Sequence, residues 1–115
     1  MNDIEFQGYL RGLGLTVESA QDSGGTQYTV VRKYTIPGAG SLAGRTCDVA
    51  LACCTGQPYV VASAVHTRPA LVVMGTRNTQ ASSLGPEWQY WSRRFDHPVT
   101  SKAVWAHIVT VLTEV

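Results

Sequence analysis

The sequence has few charged residues and almost no net charge. Charged side chains make up 15% of the 115 residues, and nine Lys and Arg against eight Asp and Glu leave a formal net charge of +1. So small a charge does not gather polyanions, which argues against nucleic acid as a partner. Apolar residues make up 44% of the chain, enough to form a core, so disorder is a poor interpretation.

The sequence also lacks long apolar runs. None approaches the roughly 18 residues that a membrane span needs, and the N-terminal residues 1–6 are acidic where a secretory signal would be basic. We therefore expect a soluble, cytoplasmic protein with no membrane partner. The length suits one folding unit, which predicts a single domain over residues 1–115.

Cysteine is scarce, and its spacing predicts neither a disulfide nor a metal site. The three cysteines are Cys47, Cys53 and Cys54, and adjacent cysteines rarely pair because such a bridge is strained. There is no Cys-x-x-Cys and no His-x-x-x-His, so no metal is predicted. Cys47 has the pattern of a core residue. Cys53 and Cys54 stay open as weaker candidates for a nucleophile, since alternation buries one of them.

Hydrophobic spacing in the first half predicts a helix followed by strands. The helix covers residues 3–13, with Asp3 as its cap and glycines at its end. The strands are recognised by alternating and β-branched residues. They are predicted at 15–21, 27–36 and 45–54, with short candidates at 59–65 and 70–74, and a Gly-rich loop at 37–44.

The second half predicts a polar segment followed by helices. Residues 75–85 have little to bury, and Pro86 can open a short helix over 87–94 on which Trp88 and Trp91 share a face. A final helix is predicted over 102–113, capped by Thr100 or Ser101. The order of elements predicts an α+β fold, with an N-terminal helix, an antiparallel four-stranded meander and C-terminal helices.

This order, together with the run Leu-Gly-Pro-Glu-Trp-Gln-Tyr-Trp-Ser-Arg-Arg-Phe at 84–95, resembles a bacterial branch of the ubiquitin-conjugating enzyme (UBC) superfamily. Its most specific part is the Trp-Gln-x-Trp-Ser-Arg signature. Gln57-Pro58-Tyr59 also falls where such folds carry a Tyr-Pro turn. The resemblance extends from residue 26 to residue 115 and implies a trimmed UBC-like fold without the last two helices.

The chain departs from the superfamily at the reactive position. There a His-Pro-Asn motif is followed by an acceptor cysteine, but no cysteine occurs here after Cys54. Residues 78–83, Asn-Thr-Gln-Ala-Ser-Ser, occupy the corresponding segment. Because some relatives are similar in carrying their modifier as an oxyester, the resemblance implies that Ser83 or Ser82 holds the acyl group. The alternatives are a dead site and serines that only cap the following helix.

A serine acceptor needs help that a cysteine does not, because its hydroxyl must be activated by a base. The candidates for the base are His66, on the turn where the His-Pro-Asn motif would lie, and His97. Asn78 is the candidate oxyanion donor, a role typically worth about 3 kcal/mol. Each of these three also has a plain structural interpretation as a turn or surface residue. The reaction needs no cofactor.

The Trp-rich segment is the candidate partner-binding region. Arg93 and Arg94 suit a carboxylate, whether from Asp96 or from a partner, and Trp88 lies close to them in sequence. The two arginines can equally be solvated, and the tryptophans can equally serve the core. The resemblance implies an adenylating activating enzyme and a ubiquitin-like protein as the partners.

The leading hypothesis is a conjugating-enzyme homologue that accepts a ubiquitin-like modifier, with a serine oxyester in place of a thioester. The runner-up is a catalytically silent UBC-like module that scaffolds the activating enzyme and the modifier. A small interaction domain unrelated to conjugation is the third possibility. Antiphage defence is suggested only by the genomic company that such families keep.

Overall fold

The computed structural model describes all 115 residues, and its helices and strands alternate in an α+β order. The elements are α1 (Asp3–Gly12), β1 (Thr16–Gln21), β2 (Gln27–Thr35), β3 (Thr46–Ala52), β4 (Ala64–Arg68), β5 (Thr79–Ser82), β6 (Gly85–Ser92) and α2 (Ser101–Thr113).

The six strands form one antiparallel sheet in the order β1-β2-β3-β4-β6-β5. The first four strands follow chain order as a meander. After β4 the chain passes to the far edge and returns as the hairpin β5–β6, so β6 pairs with β4 and β5 forms the edge.

Both helices pack on the same face of the sheet. Alternation along β3 directs Val49 and Leu51 into the main core with Phe6 and Leu10 of α1. The buried stripe of α2 lies in that core too, together with Trp91, whose exposed fraction is 0%. Burial of this apolar surface is the main favourable contribution to folding.

The opposite face carries no helix, and we call it the helix-free face; it is centred on His66. A small apolar cluster of Tyr28, Val30, Ala50 and Trp88 lies here. The tip of the β5–β6 hairpin reaches it, since Leu84 packs against this cluster and Ser83 contacts Tyr28 of β2. The hairpin therefore curls over the sheet instead of extending it flat.

The structure confirms several predicted elements. The N-terminal helix, the strands near 15–21, 27–36 and 45–54, the loop at 37–44 and the final helix are all present. Two caps are resolved: Thr100 caps α2, while Asn2, not Asp3, caps α1 by accepting the Glu5 N–H at 2.8 Å.

The predicted short helix over 87–94 is wrong, because these residues belong largely to β6. Residues three apart share a helical face but lie on opposite faces of a strand. Trp88 accordingly joins the cluster on the helix-free face and Trp91 the main core. β4 and β5 supply backbone partners on both sides of this segment. One C-terminal helix remains where more than one was expected.

The strand count was also underestimated, with four expected and six found. Residues 59–65 are strand only from Ala64, and residues 70–74 form none. The backbone N–H of Leu71 instead donates to the Gln89 side chain at 2.9 Å. The polar segment 75–85, expected to be only exposed, supplies β5. His66 lies within β4 and not on a turn.

The 37–44 loop packs tightly against the end of α2 at Gly40, which gives a stability prediction. A methyl group there would lie 2.9 Å from the backbone oxygens of both Thr113 and Val115. Because neither oxygen belongs to a flexible side chain, we expect Gly40→Ala to lower the free energy of unfolding by about 1–3 kcal/mol. Urea denaturation measures this.

Gly8→Ala is the matched control for that prediction. Gly8 lies inside α1, and an added methyl group would meet nothing within 4 Å. We expect this change to raise stability by roughly 0.5–1 kcal/mol, because alanine favours the helix. Equal unfolding free energies for the two variants would contradict the packing argument.

Candidate functional site

The tip of the β5–β6 hairpin brings a serine and a histidine into direct contact. Ser82 ends β5, and its Oγ lies 2.7 Å from Nδ1 of His66 in β4. β6 separates these two strands in the sheet, so the contact depends on the curl of the hairpin. A hydroxyl hydrogen-bonded to an imidazole is the usual arrangement of a nucleophile and its base.

His66 is held in an apolar setting that keeps it neutral. Its exposed fraction is 4%, and burial lowers the pKa of the imidazole to about 4. The rings of Tyr28 and Tyr90 contact it edge to face on either side, with ring centres 5.2 and 5.3 Å away. The ring is therefore unprotonated at neutral pH and fixed in orientation.

The Ser82 hydroxyl has a second hydrogen-bond partner beside His66. The backbone N–H of Leu84 donates to Ser82 Oγ at 3.1 Å, so the oxygen acts there as an acceptor. A hydroxyl oxygen has two lone pairs, so the direction of its bond to Nδ1 depends on the tautomer of His66. In the tautomer that carries its proton on Nε2, the Ser82 hydroxyl donates to Nδ1. In this arrangement the ring is ready to accept the serine proton.

The second serine contacts a different group. Ser83 is exposed, and its hydroxyl donates to Asp22 Oδ2 at 3.1 Å. The Tyr28 hydroxyl donates to the same carboxylate oxygen at 3.1 Å and also lies 3.1 Å from Ser83 Oγ. The hydrogen bond from the Thr26 N–H is the largest influence on the pKa of Asp22, which is lowered. Ser83 thus faces an ionised carboxylate.

A row of charged side chains lies on the same helix-free face of the sheet as Ser82 and His66. Asp48 of β3 lies between two guanidinium groups, with Arg32 Nε at 3.2 Å and Arg68 Nη2 at 2.7 Å. Arg32 also meets Glu18 at 2.8 Å, and the Arg68 guanidinium lies over the Trp88 ring. The two positive and two negative charges balance, so the row adds no net charge to the site.

Asn78 does not lie with the two serines. It precedes β5 whereas Ser82 ends it, so about 13 Å of strand separates them at roughly 3.3 Å per residue. Asn78 has a φ of 55° and lines a shallow pocket of about 500 Å³ with Gln80, Tyr90 and Ser92. Its expected role as an oxyanion donor is not supported by this position.

Of the predicted partner-binding residues, two are engaged inside the domain. Trp88 is buried under Arg68, and Arg93 Nε pairs with Glu114 at 2.9 Å. Arg94 is exposed. His97 contacts Phe95 and His107 beside α2 and is not part of the serine pair's surroundings.

The three cysteine thiols form no disulfide; Cys47 is buried, and Cys53 and Cys54 are partly buried. Cys47 is buried in the main core, where burial raises its pKa to about 11. Cys53 is half-buried, and burial raises its pKa too. Cys54 Sγ accepts backbone N–H groups from Gly56 and Val60, both at 3.4 Å.

Sequence reasoning missed Asp22, Tyr28 and Tyr90. The signal for Asp22 is its position at the head of an Asp-Ser-Gly-Gly run, which favours side-chain to backbone hydrogen bonds but does not indicate a site. Alternation put Tyr28 on one side of β2, but nothing in the pattern indicated that the hairpin tip would reach that side.

No group of three or more His, Cys, Asp or Glu side chains is arranged to hold a metal ion. Neither helix has the length and apolar character needed to cross a bilayer.

The fold and the site define an α+β domain that carries a serine–histidine pair on the helix-free face of its sheet. A family model described as Prokaryotic E2 family E matches residues 4–115. The chain belongs to this family, which confirms the resemblance to bacterial E2-like proteins and gives the chain a role related to protein conjugation. No curated protein and no solved structure matches it.

Proposed function

We propose that this domain accepts the C-terminal acyl group of a ubiquitin-like protein on Ser82 and passes it on, as an oxyester-forming transferase. The observation that carries the proposal is the 2.7 Å contact between Ser82 Oγ and Nδ1 of a neutral His66. Ser83 is the second candidate for the acceptor, but its hydroxyl is bound to the Asp22 carboxylate and not to an imidazole.

The loading step uses groups of this chain only. Ser82 Oγ attacks the activated carbonyl carbon of the modifier while its proton moves to Nδ1 of His66. The new carbon–oxygen bond replaces the bond to the leaving group, and the imidazolium then gives its proton to the leaving group or to water. The oxyester is later attacked by an acceptor nucleophile of the target. No cofactor is required in these steps.

The lowered pKa of His66 indicates what kind of acyl donor the domain needs. With a pKa of about 4, the imidazole is a weak base and contributes little driving force for deprotonation at neutral pH. The acyl group must therefore arrive already activated. An adenylating enzyme supplies such a donor, so an activating enzyme and a ubiquitin-like protein are the proposed partners. Both act where ATP is present, which favours the cytoplasm.

Arg94 is the proposed contact for an acidic group of a partner. It is exposed, and it follows the internally paired Arg93 in the chain. A guanidinium can bind a carboxylate through two parallel hydrogen bonds.

A specific observation favours the second function, a silent scaffold. Both serine hydroxyls already hold the hairpin tip in place, Ser82 through His66 and Ser83 through Asp22 and Tyr28. A scaffold would need these bonds for shape and would never be acylated.

Mixing the protein with its cognate activating enzyme, modifier and ATP tests the proposal. We expect a covalent adduct that survives thiol reductant, is cleaved by mild alkali, is lost in Ser82→Ala and persists in Ser83→Ala. Loss in Ser83→Ala alone would move the acceptor to Ser83, and an adduct cleaved by reductant would move it to a cysteine. Activating enzyme that binds without any adduct would establish the scaffold.

A further inference from the structure

We propose that Asp22 is a positioning residue for His66 and acts through Tyr28, so that the site is a four-residue relay of Asp22, Tyr28, His66 and Ser82. The inference deepens the proposed function and rests on it for its catalytic meaning. Asp22 touches neither the acyl group nor His66 directly. Its task is to hold Tyr28 and to stabilise the positive charge that forms on His66 during loading.

The four residues contact one another in the order Asp22, Tyr28, His66 and Ser82. One oxygen of Asp22, Oδ1, is fixed by the backbone N–H groups of Gly24 and Thr26 at 2.9 and 3.0 Å. The other, Oδ2, accepts the Tyr28 hydroxyl at 3.1 Å. The Tyr28 ring in turn meets the His66 ring edge to face, with an angle of 80° between the planes. A carboxylate held at both oxygens fixes the ring that orients the base.

Asp22 is also the charged group that acts on His66. The rings packed against His66 are Tyr28 from β2 and Tyr90 from β6, and Ser82 faces it from β5; none of them is charged at neutral pH. Arg68 lies two residues further along the same side of β4, but it is paired with Asp48. The negative charge of Asp22 opposes the effect of burial on His66.

This charge matters whenever His66 carries a proton, which in the reaction is the step that deprotonates Ser82. When the Ser82 proton reaches Nδ1, a buried cation forms between two tyrosine rings, and burial makes such a cation costly. A fixed anion one side chain away stabilises it without moving. Loss of the Asp22 charge should therefore weaken the base, whereas loss of a nearby charge that does not contact Tyr28 should not.

Four variants of the full chain test this: Asp22→Asn, Asp22→Glu, Tyr28→Phe and, as the matched control, Glu18→Gln. Glu18 lies on neighbouring β1 and pairs with Arg32 instead of Tyr28. The first measurement follows the His66 ring protons by NMR from pH 7.5 downward, in the isolated protein and with folding checked in the amide spectrum. The second is the rate of adduct formation at pH 7 with the cognate activating enzyme, modifier and ATP.

We expect the midpoint of the His66 titration to fall by roughly half a unit to one unit in Asp22→Asn, and adduct formation to slow by roughly 3- to 10-fold. Tyr28→Phe should change both in the same direction, Asp22→Glu should restore much of each, and Glu18→Gln should match the wild type. If a variant unfolds in acid before His66 titrates, the inference is tested by comparing the rates of adduct formation of Asp22→Asn and Glu18→Gln.

An unchanged midpoint and rate in Asp22→Asn would overturn the inference and leave the proposed function standing. A lowered midpoint in a protein that forms no adduct would overturn the relay as part of a reaction. In that case the proposed function would be wrong as well, and the loading assay shows this independently of the titration.

Discussion

Trp91→Ala is expected to lower the free energy of unfolding by about 3–5 kcal/mol, the usual range when a large aromatic is removed from a core. Trp91 has an exposed fraction of 0% and lies in the main core between the sheet and α2. Its indole N–H donates to Thr67 Oγ1 at 2.9 Å, and both groups are buried. Urea denaturation measures the effect, which is large beside the 5–15 kcal/mol by which domains are stable.

Trp91→Phe is the control, because it keeps an aromatic ring but removes the hydrogen bond. It leaves the buried Thr67 hydroxyl without its donor, so we expect a smaller loss of about 1–3 kcal/mol. Trp88→Ala should also cost less than Trp91→Ala, because Trp88 belongs to the small cluster on the helix-free face. If Trp88→Ala proved the more damaging of the two, the assignment of the main core to the helix side would be wrong.

The two tryptophans also show which parts of the fold could be predicted from sequence. α1, β2 and β3 have local signals, namely helical spacing and strict alternation, and they were predicted nearly to their ends. Trp88 and Trp91 are three apart, which fits one helical face and equally fits two faces of a strand. Only the pairing of β6 with β4 and β5 decides between these, and that pairing depends on residues distant in the chain.

For the candidate site, three residues could be identified from the sequence, but their contacts could not. Ser82, Ser83 and His66 were identified because their positions resemble those of the reactive segment and the histidine of the UBC superfamily. Their partners could not be assigned, since the contact of Ser83 with Asp22 spans 61 residues of sequence. It exists because the hairpin curls across the helix-free face, a shape that no local pattern specifies.

Acid is expected to destabilise the protein through His66 well above the pH at which carboxylates are protonated. The pKa of His66 is lowered from 6.5 to about 4 in the folded chain, because burial disfavours the charged ring. Between these two values the unfolded chain binds more protons than the folded chain, so stability falls as pH falls through this window. The contribution is fully present above about pH 6.5.

The size of the effect follows from the shift. At 1.36 kcal/mol for each pKa unit, we expect a loss of about 3 kcal/mol between pH 7 and pH 4. His107, whose pKa is also lowered chiefly by burial, adds to it in the same direction. The lowered pKa values of Asp22 and Asp48 act in a different window, because their stabilisation is lost only as pH falls below about 3.8.

Comparing wild type with His66→Gln in urea denaturation at several pH values isolates the histidine. Glutamine does not titrate and can still hydrogen-bond to Ser82, so the variant should be less stable at pH 7 but should lose about 3 kcal/mol less on acidification to pH 4. The difference between the two curves should develop between pH 6.5 and 4. Parallel curves would mean that the pKa of His66 is the same in the folded and unfolded chains, and that burial does not hold the ring in its neutral form.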